Sequence, residues 1–308
     1  MMKSAEALKE FEKLVTSVKS SGSEELGTFF NLIQSMYLRA MCSGEQVAIA
    51  HDKLNNIASD LKELVPLEGI FSSESITKPL EKEIVPTYHV DAFIYDDEAV
   101  DKLVEEGKVP REYCTKCGCF DIKLVDYISH SLSRRQASFI FSSMIKEYLK
   151  GFTVLDIGSR LGCALYGAYF FGHSDKIIGI EMNKDLCNVQ KKIIEKYQLG
   201  DRIQVIEGDV LEHKDIVQIS DVIILNNVFE HFLEEDKQVE MWTFLHDNIC
   251  KPGTLLVTSP KLEDSLNSLK IDIDVSKWVK NVFLDDPLAA MYVCDHPDLA
   301  ELHLYKVL

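Results

Sequence analysis

The stretch Asp156-Ile-Gly-Ser-Arg-Leu-Gly162 has the composition of a ligand-binding turn between a strand and a helix. Gly158 and Gly162 allow the backbone to bend sharply and to approach a ligand, and the start of the following helix offers unpaired N–H groups. A nicotinamide-dinucleotide site requires the spacing G-x-G-x-x-G, and Arg160 stands in place of its second glycine, where a pyrophosphate contacts the chain. The turn therefore predicts a ligand without a diphosphate, with a purely structural turn as the alternative.

Two acidic residues lie at the carboxyl ends of the next two predicted strands. Glu181 is well placed to accept hydrogen bonds from both hydroxyl groups of a ribose, and both classes of nucleotide site would use it in this way. Asp209, in the segment Glu207-Gly208-Asp209-Val210, can accept a hydrogen bond from an adenine amino group, which is less expected of a nicotinamide site. Asp209 as a solvated loop residue remains the alternative.

The fourth predicted strand runs into the polar segment Asn226-Asn-Val-Phe-Glu-His231. Ligands of open parallel sheets bind beyond the carboxyl ends of the strands, at the point where the strand order reverses. We therefore expect all four segments to face one crevice.

The elements that position these residues alternate along residues 131–308. Ser131 or Ser133 can cap a helix that reaches Tyr148, and Asn183 can cap a helix that stops at Gly200. The predicted strands are Thr153–Ile157, Lys176–Met182, Ile203–Glu207, Asp221–Leu225 and Thr254–Ser259. Strands that alternate with helices over this length predict an α/β fold with a doubly wound parallel sheet.

The first 130 residues have a different character. Apolar residues at helical spacing predict three helices within a helical N-terminal region, residues 1–66, the second of them around Phe30–Ala40. These helices could pack on the rest of the chain, cover a pocket or form a homodimer interface. In residues 67–130 the periodicity fades, which predicts an irregular connector.

The connector contains Cys114-Thr-Lys-Cys117-Gly-Cys119. The spacing C-x-x-C-G lets one turn present two thiolates to zinc, and His89 or His130 could add a ligand. The sequence has no second C-x-x-C pair, so three reduced cysteines and no bound metal remain the favoured interpretation.

The overall charge and hydropathy restrict the function further. The 308 residues carry a formal net charge of −17 at pH 7, which repels a phosphate backbone and disfavours nucleic acid as a partner. No stretch has the length and apolar composition of a signal peptide or a membrane span. We expect a cytoplasmic protein with reduced cysteines and no membrane partner.

Together, the segments DIGSRLG, IGIEMN, EGDV, NNVFEH and KPGTLLVTSP resemble the successive motifs of the class I S-adenosylmethionine-dependent methyltransferases, over roughly Tyr148–Pro260. The family's first motif is an acidic residue followed by G-x-G-x-G, so Arg160 departs from it at the least strict glycine. The resemblance implies a seven-stranded, mostly parallel Rossmann-like sheet over residues 131–308. It adds two strands beyond Pro260, of which Glu301–Leu308 fits the last, antiparallel one and Pro287–Cys294 is a weaker candidate for its partner.

The resemblance also implies S-adenosyl-L-methionine as the cofactor and assigns its contacts. The backbone of Gly158–Gly162 would hold the methionine portion, Glu181 the ribose, and Asp209 with Val210 the adenine, while Glu207 is a strand-end residue only. Asn226 would lie next to the transferred methyl group. The complete set of cofactor-binding candidates is Asp156, Gly158, Ser159, Arg160, Gly162, Glu181, Met182, Asp209, Val210 and Asn226.

A methyl group on a sulfonium is already activated, so the protein must mainly align the reactants and exclude water. The resemblance places Glu230 and His231 on the acceptor side of the pocket, where either could act as a base. Alternatively, Glu230 serves a helix dipole and His231 packs or caps the helix.

The sequence therefore favours a methyltransferase acting on a small molecule or a protein. The lack of an N/D-P-P-Y/F run after the fourth strand counts against the amide and exocyclic-amine methylases that use it. A non-catalytic protein of the same fold that binds a protein partner is the second hypothesis. A nicotinamide oxidoreductase is the third, and Arg160 counts against it.

Overall fold

The computed structural model describes residues 4–19, 29, 44–74, 87–114, 122–124, 126–145, 151–227, 229, 233–267, 269–283 and 292–308. The chain divides into two compact units, residues 1–49 and residues 50–308. Helix α1 spans Ser4–Lys19 and helix α2 spans Gly44–Leu64. The helix predicted around Phe30–Ala40 lies outside the described residues.

After α2, the second unit continues with short elements that the sequence did not predict. These are β1 (Thr87–His89), α3 (Asp97–Glu105), β2 (Glu112–Cys114), β3 (Ile122–Leu124) and β4 (Asp126–Ile128). Strands β1 and β4 pair in parallel, and β2 pairs with β3 in antiparallel fashion. Helix α3 starts where the side chain of Asp96 accepts a hydrogen bond from the Ala99 N–H, a standard N-cap.

Helices and strands alternate through the remainder of the chain, as the sequence predicts. They are α4 (Arg134–Phe139), β5 (Thr153–Ile157), α5 (Cys163–Phe171), β6 (Lys176–Glu181), α6 (Lys184–Tyr197), β7 (Ile203–Glu207), α7 (Lys214–Ile219), β8 (Val222–Asn226), α8 (Glu235–Asn248), β9 (Leu255–Ser259), α9 (Leu262–Asn267), α10 (Val275–Trp278), β10 (Val279–Asn281) and β11 (His303–Val307). The predicted caps are present, since Ser133 caps α4 and Asn183 caps α6.

Seven of these strands form one sheet in the order β10-β11-β9-β8-β5-β6-β7. The pairs β5–β6, β6–β7, β5–β8 and β8–β9 are parallel, and β11 is antiparallel to both of its neighbours. The expected doubly wound, mostly parallel sheet is thus confirmed. The strand order reverses between β5 and β8, and that switch point is where ligands of such sheets bind.

The two faces of the sheet carry separate cores. On β5, Val154 is buried in one core while Leu155 and Ile157 are buried in the other, as the alternation of side chains along a strand requires. The first core also includes α2 residues such as Leu54 and Leu61. Among the described helices, none has the length and apolar character needed to cross a membrane.

The last pair of strands corrects one prediction. Strand β11 lies where expected, but a partner strand at Pro287–Cys294 is wrong, because β11 pairs with β10 and residues 292–295 are helical. Trp278 explains the position of β10. Its indole is buried against the second core and donates a 3.0 Å hydrogen bond to the Ile249 carbonyl, which holds the start of β10 in place.

Candidate functional site

A cavity of about 500 Å³ lies at the carboxyl ends of β5, β6, β7 and β8. Its volume is within the range of roughly 300–1,000 Å³ that small-molecule sites occupy. Seven of the residues predicted from the sequence line it: Gly158, Arg160, Glu181, Met182, Asp209, Val210 and Asn226. The structure therefore brings residues from all four predicted segments to one cavity.

The turn after β5 provides one wall of the cavity. Gly158 has φ = 72°, a left-handed conformation suited to glycine, and its N–H donates a 2.9 Å hydrogen bond to the Ile180 carbonyl. Gly162 also has a positive φ, and a Cβ there would lie 2.8 Å from the ring of Tyr166. Ser159 is buried and donates to Oε1 of Gln190. Ser159 and Gly162 thus support the turn, whereas Gly158 and Arg160 face the cavity.

The side chain of Arg160 leaves the cavity open. Its Nη1 donates a 2.7 Å hydrogen bond to Oε2 of Glu74, and its Nη2 donates a 2.8 Å hydrogen bond to the Gly69 carbonyl. The guanidinium thus reaches away from the turn to residues 66–74, a segment that we call the strap. The residue that replaces the middle glycine of the motif holds a neighbouring segment instead of filling the space for a ligand.

Glu181 joins the second loop to the first. Its Oε2 accepts a 2.9 Å hydrogen bond from the Arg160 N–H, and its Oε1 accepts one of 2.8 Å from the Asn183 N–H. Burial raises the pKa of Glu181, while these two N–H donors and the Arg160 charge act in the opposite direction. An ionised carboxylate has about four lone-pair sites. Glu181 therefore keeps the capacity to accept hydrogen bonds from two hydroxyl groups.

Asp209 and Val210 form the wall beyond β7. Oδ1 of Asp209 accepts a hydrogen bond from the Leu211 N–H and caps a short 3₁₀ helix, Val210–Glu212. Within the part of the chain that the structure describes, no donor contacts Oδ2. Val210 is buried beside it, and Met182, 64% exposed, adds an apolar edge. This combination suits a flat apolar ring that carries an amino group.

A small cavity of about 20 Å³ adjoins the main one and shares Gly158, Arg160 and Asn226 with it. Asp156 and Ser159 line this smaller space. Asp156 is buried in β5, and burial, with a smaller contribution from Glu181, raises its pKa to about 8. Burial therefore favours the protonated form of the Asp156 carboxyl.

A pair of histidines lies at the same place. His130 is buried and lines the small cavity, and its Nε2 is 3.1 Å from Nδ1 of His89. Sequence reasoning considered both residues as partners for a zinc ion, and it also considered the segment His130–Arg135 as a place for substrate contacts. No group of three or more His, Cys, Asp or Glu among the described residues has a metal-binding arrangement.

Several predicted residues are not tested. Glu230, His231, Cys117 and Cys119 lie outside the described residues, and Cys114 is described only as the end of β2. The zinc hypothesis and the assignment of the base to Glu230 and His231 therefore remain predictions.

Sequence reasoning missed part of the cavity wall. Ser73 and Glu74 of the strap line the cavity, together with residues at the start of α6 such as Lys184 and Asp185. Asn183 was predicted only as a helix cap and lines the cavity as well. The start of α6 follows Glu181 directly and could have been found from that position, but no local signal marks the strap.

Comparison with known proteins gives one family match. The sequence profile of a methyltransferase-domain family matches residues 149–285. No curated protein matches the chain significantly. The family match covers β5–β10 and so includes all four strands whose carboxyl ends form the cavity wall.

Solved structures of methyltransferases resemble parts of the chain. An RNA methyltransferase from Salinibacter ruber in complex with S-adenosyl-L-homocysteine is 15% identical, with a TM-score of 0.38, and the alignment covers 57% of this chain and 92% of that chain. An O-methyltransferase from Bacillus cereus in complex with the same compound is 13% identical, with a TM-score of 0.38, over 70% of this chain and 92% of that one. A putative methyltransferase from Escherichia coli is 14% identical, with a TM-score of 0.39, and the alignment covers 56% of this chain and 86% of that chain.

Proposed function

We propose that the chain is a class I S-adenosylmethionine-dependent methyltransferase that transfers a methyl group to a small molecule or a protein side chain, and the methyltransferase-domain match over residues 149–285 supports this. One observation carries the proposal. The cavity at the strand ends combines a glycine turn, Glu181 and Asp209 in the order in which they follow β5, β6 and β7.

The residues of the cavity fit the cofactor S-adenosyl-L-methionine. Glu181 would accept hydrogen bonds from the ribose hydroxyls, and Oδ2 of Asp209 would accept one from the adenine amino group. Val210 and Met182 would contact the adenine ring, and the turn at Gly158 would hold the methionine portion. Bound there, the sulfonium supplies an activated methyl group.

The protein must also align the acceptor with the cofactor and accept a proton from the acceptor. Asn226 lines both cavities and would contact the cofactor or the acceptor near the reacting atoms. An acceptor that carries a proton needs a base within hydrogen-bond reach. Besides Glu230 and His231, we propose His130 for this role, since it lies on the small cavity that Asn226 shares.

The acceptor is identified by a labelled-methyl screen. The purified protein is incubated with S-adenosyl-L-methionine labelled in its methyl group and with protein and small-molecule fractions of a cell extract. We expect label in at least one fraction, and we expect an Asp209→Asn variant, which lacks an acceptor for the adenine amino group, to transfer less label at a cofactor concentration below saturation. If the protein binds the cofactor and no fraction takes label, the chain is a non-catalytic protein of this fold.

A further inference from the structure

The strap connects two loops of the cofactor pocket. At one end Arg160 contacts both Glu74 and the Gly69 carbonyl. At the other end Oγ of Ser73 donates a 2.7 Å hydrogen bond to Oδ2 of Asp185 and accepts one of 3.0 Å from Nδ2 of Asn183. The strap is therefore held both by the turn after β5 and by the loop after β6, and Ser73 and Glu74 form part of the wall between them.

The strap places a buried ion pair in that wall. The side chain of Arg160 is 9% exposed and that of Glu74 is 7% exposed, with Nη1 and Oε2 separated by 2.7 Å. Glu74 is fixed from its own side as well, because its Oε1 accepts a 2.7 Å hydrogen bond from the Phe71 N–H. Both partners line the cavity, so two opposite charges lie at its wall in a place where water screens them weakly.

The two forms of the cofactor differ in charge at the reacting atom. S-adenosyl-L-methionine carries a positive sulfonium, whereas the product S-adenosyl-L-homocysteine has a neutral thioether in the same place. Resting on the function proposed above, we propose that the Arg160–Glu74 pair determines the relative affinity of the pocket for the two forms. The carboxylate of Glu74 balances the guanidinium, so that the positive charge needed to hold the strap does not repel the sulfonium.

The proposal predicts opposite effects from the two halves of the pair. Glu74→Gln keeps an acceptor for the Phe71 N–H and leaves the Arg160 charge unbalanced, which weakens binding of the sulfonium form more than binding of the product. Arg160→Gln leaves the Glu74 carboxylate unbalanced and favours the sulfonium form. The ratio of the two dissociation constants should shift by roughly ten-fold in each direction.

The dissociation constants of both compounds are measured by isothermal titration calorimetry. The variant Arg160→Gln with Glu74→Gln removes both charges and should restore the ratio of the unmodified protein. Glu68→Gln is the matched control, since Glu68 lies on the strap, is exposed and does not line the cavity. It should leave the ratio unchanged.

If the pair had only a structural role, its substitution would weaken the binding of both compounds equally. An unchanged ratio of the two dissociation constants in both single variants would overturn the proposal. If the single variants fail to fold, Ser73→Lys provides the test at an exposed position of the same wall. Its added positive charge must weaken the binding of the sulfonium form relative to that of the product. An unchanged ratio of the dissociation constants again overturns the proposal. Failure of the proposed function looks different, because the unmodified protein would then bind neither compound.

Discussion

The backbone N–H of Arg160 donates a 2.9 Å hydrogen bond to Oε2 of Glu181, and this contact joins the turn after β5 to the end of β6. The two loops thus meet at one corner of the pocket. The carboxylate that is proposed to bind the ribose is oriented by the turn that is proposed to hold the methionine portion. Substitutions at Glu181 should therefore change the affinity for the cofactor directly.

Glu181→Gln is expected to weaken binding of S-adenosyl-L-homocysteine by roughly 1–3 kcal/mol, because hydrogen bonds to a charged acceptor are lost and a donor is introduced. Calorimetric titration of the purified variant measures the change. Glu207→Gln is the matched control. Glu207 is the register partner of Glu181 on β7 and is exposed, so its substitution should leave the affinity unchanged. Equal losses in the two variants would contradict the assignment of the ribose site.

Asp209→Asn separates two roles of one side chain. Asparagine still accepts the hydrogen bond from the Leu211 N–H, so the cap of the 3₁₀ helix survives. Its amide nitrogen replaces the oxygen proposed for the adenine amino group, which should lower the affinity by roughly 1–3 kcal/mol. The exposed Asp215 provides the control substitution, Asp215→Asn. Unchanged affinity in Asp209→Asn would show that the adenine is bound elsewhere.

The raised pKa of Asp156 predicts that the stability of the protein depends on pH. Burial raises its pKa from 3.8 to about 8, so the folded state favours the protonated carboxyl. Its contribution to stability is complete below the ordinary pKa and is lost as the pH rises through about 8. Asp156→Asn mimics the neutral form and should flatten the fall of the melting temperature between about pH 5 and pH 8.

The control for this prediction is the exposed Asp175. Asp175→Asn should keep the pH profile of the unmodified protein. Parallel profiles for the unmodified protein and Asp156→Asn would mean that Asp156 is ionised in the folded state.

His130→Gln tests the proposed base. On an acceptor found in the labelled-methyl screen, we expect kcat to fall by roughly 10²-fold or more while the affinity for S-adenosyl-L-homocysteine stays constant. His173→Gln, at an exposed position, should leave kcat unchanged. A fall in affinity that matches the fall in rate would instead make His130 a structural part of the cofactor pocket.

Local patterns predicted much of the domain because they depend on neighbouring residues. The cap at Asn183 and the strand Thr153–Ile157 were found from the sequence, and the structure has both. Glu181 and Asp209 could also be predicted, since each follows directly from the end of a strand.

Long-range contacts account for what the sequence could not reveal. Arg160 and Glu74 are separated by 86 positions, and no spacing rule links a turn in the sheet to the strap. The indole of Trp278, next to the start of β10, bonds to the Ile249 carbonyl 29 positions away, and periodicity does not encode that contact. The approach of His89 to His130 likewise follows from tertiary structure, in which β1 lies beside β4.

The central claim is that the cavity at the carboxyl ends of β5, β6, β7 and β8 binds an adenosyl group joined to methionine. Calorimetric titration of the unmodified protein with S-adenosyl-L-homocysteine and, separately, with NAD tests it most directly. We predict saturable binding of S-adenosyl-L-homocysteine, weakened by roughly 1–3 kcal/mol in Asp209→Ala, and no binding of NAD. Binding of NAD alone, or binding of S-adenosyl-L-homocysteine that Asp209→Ala leaves intact, would contradict the account.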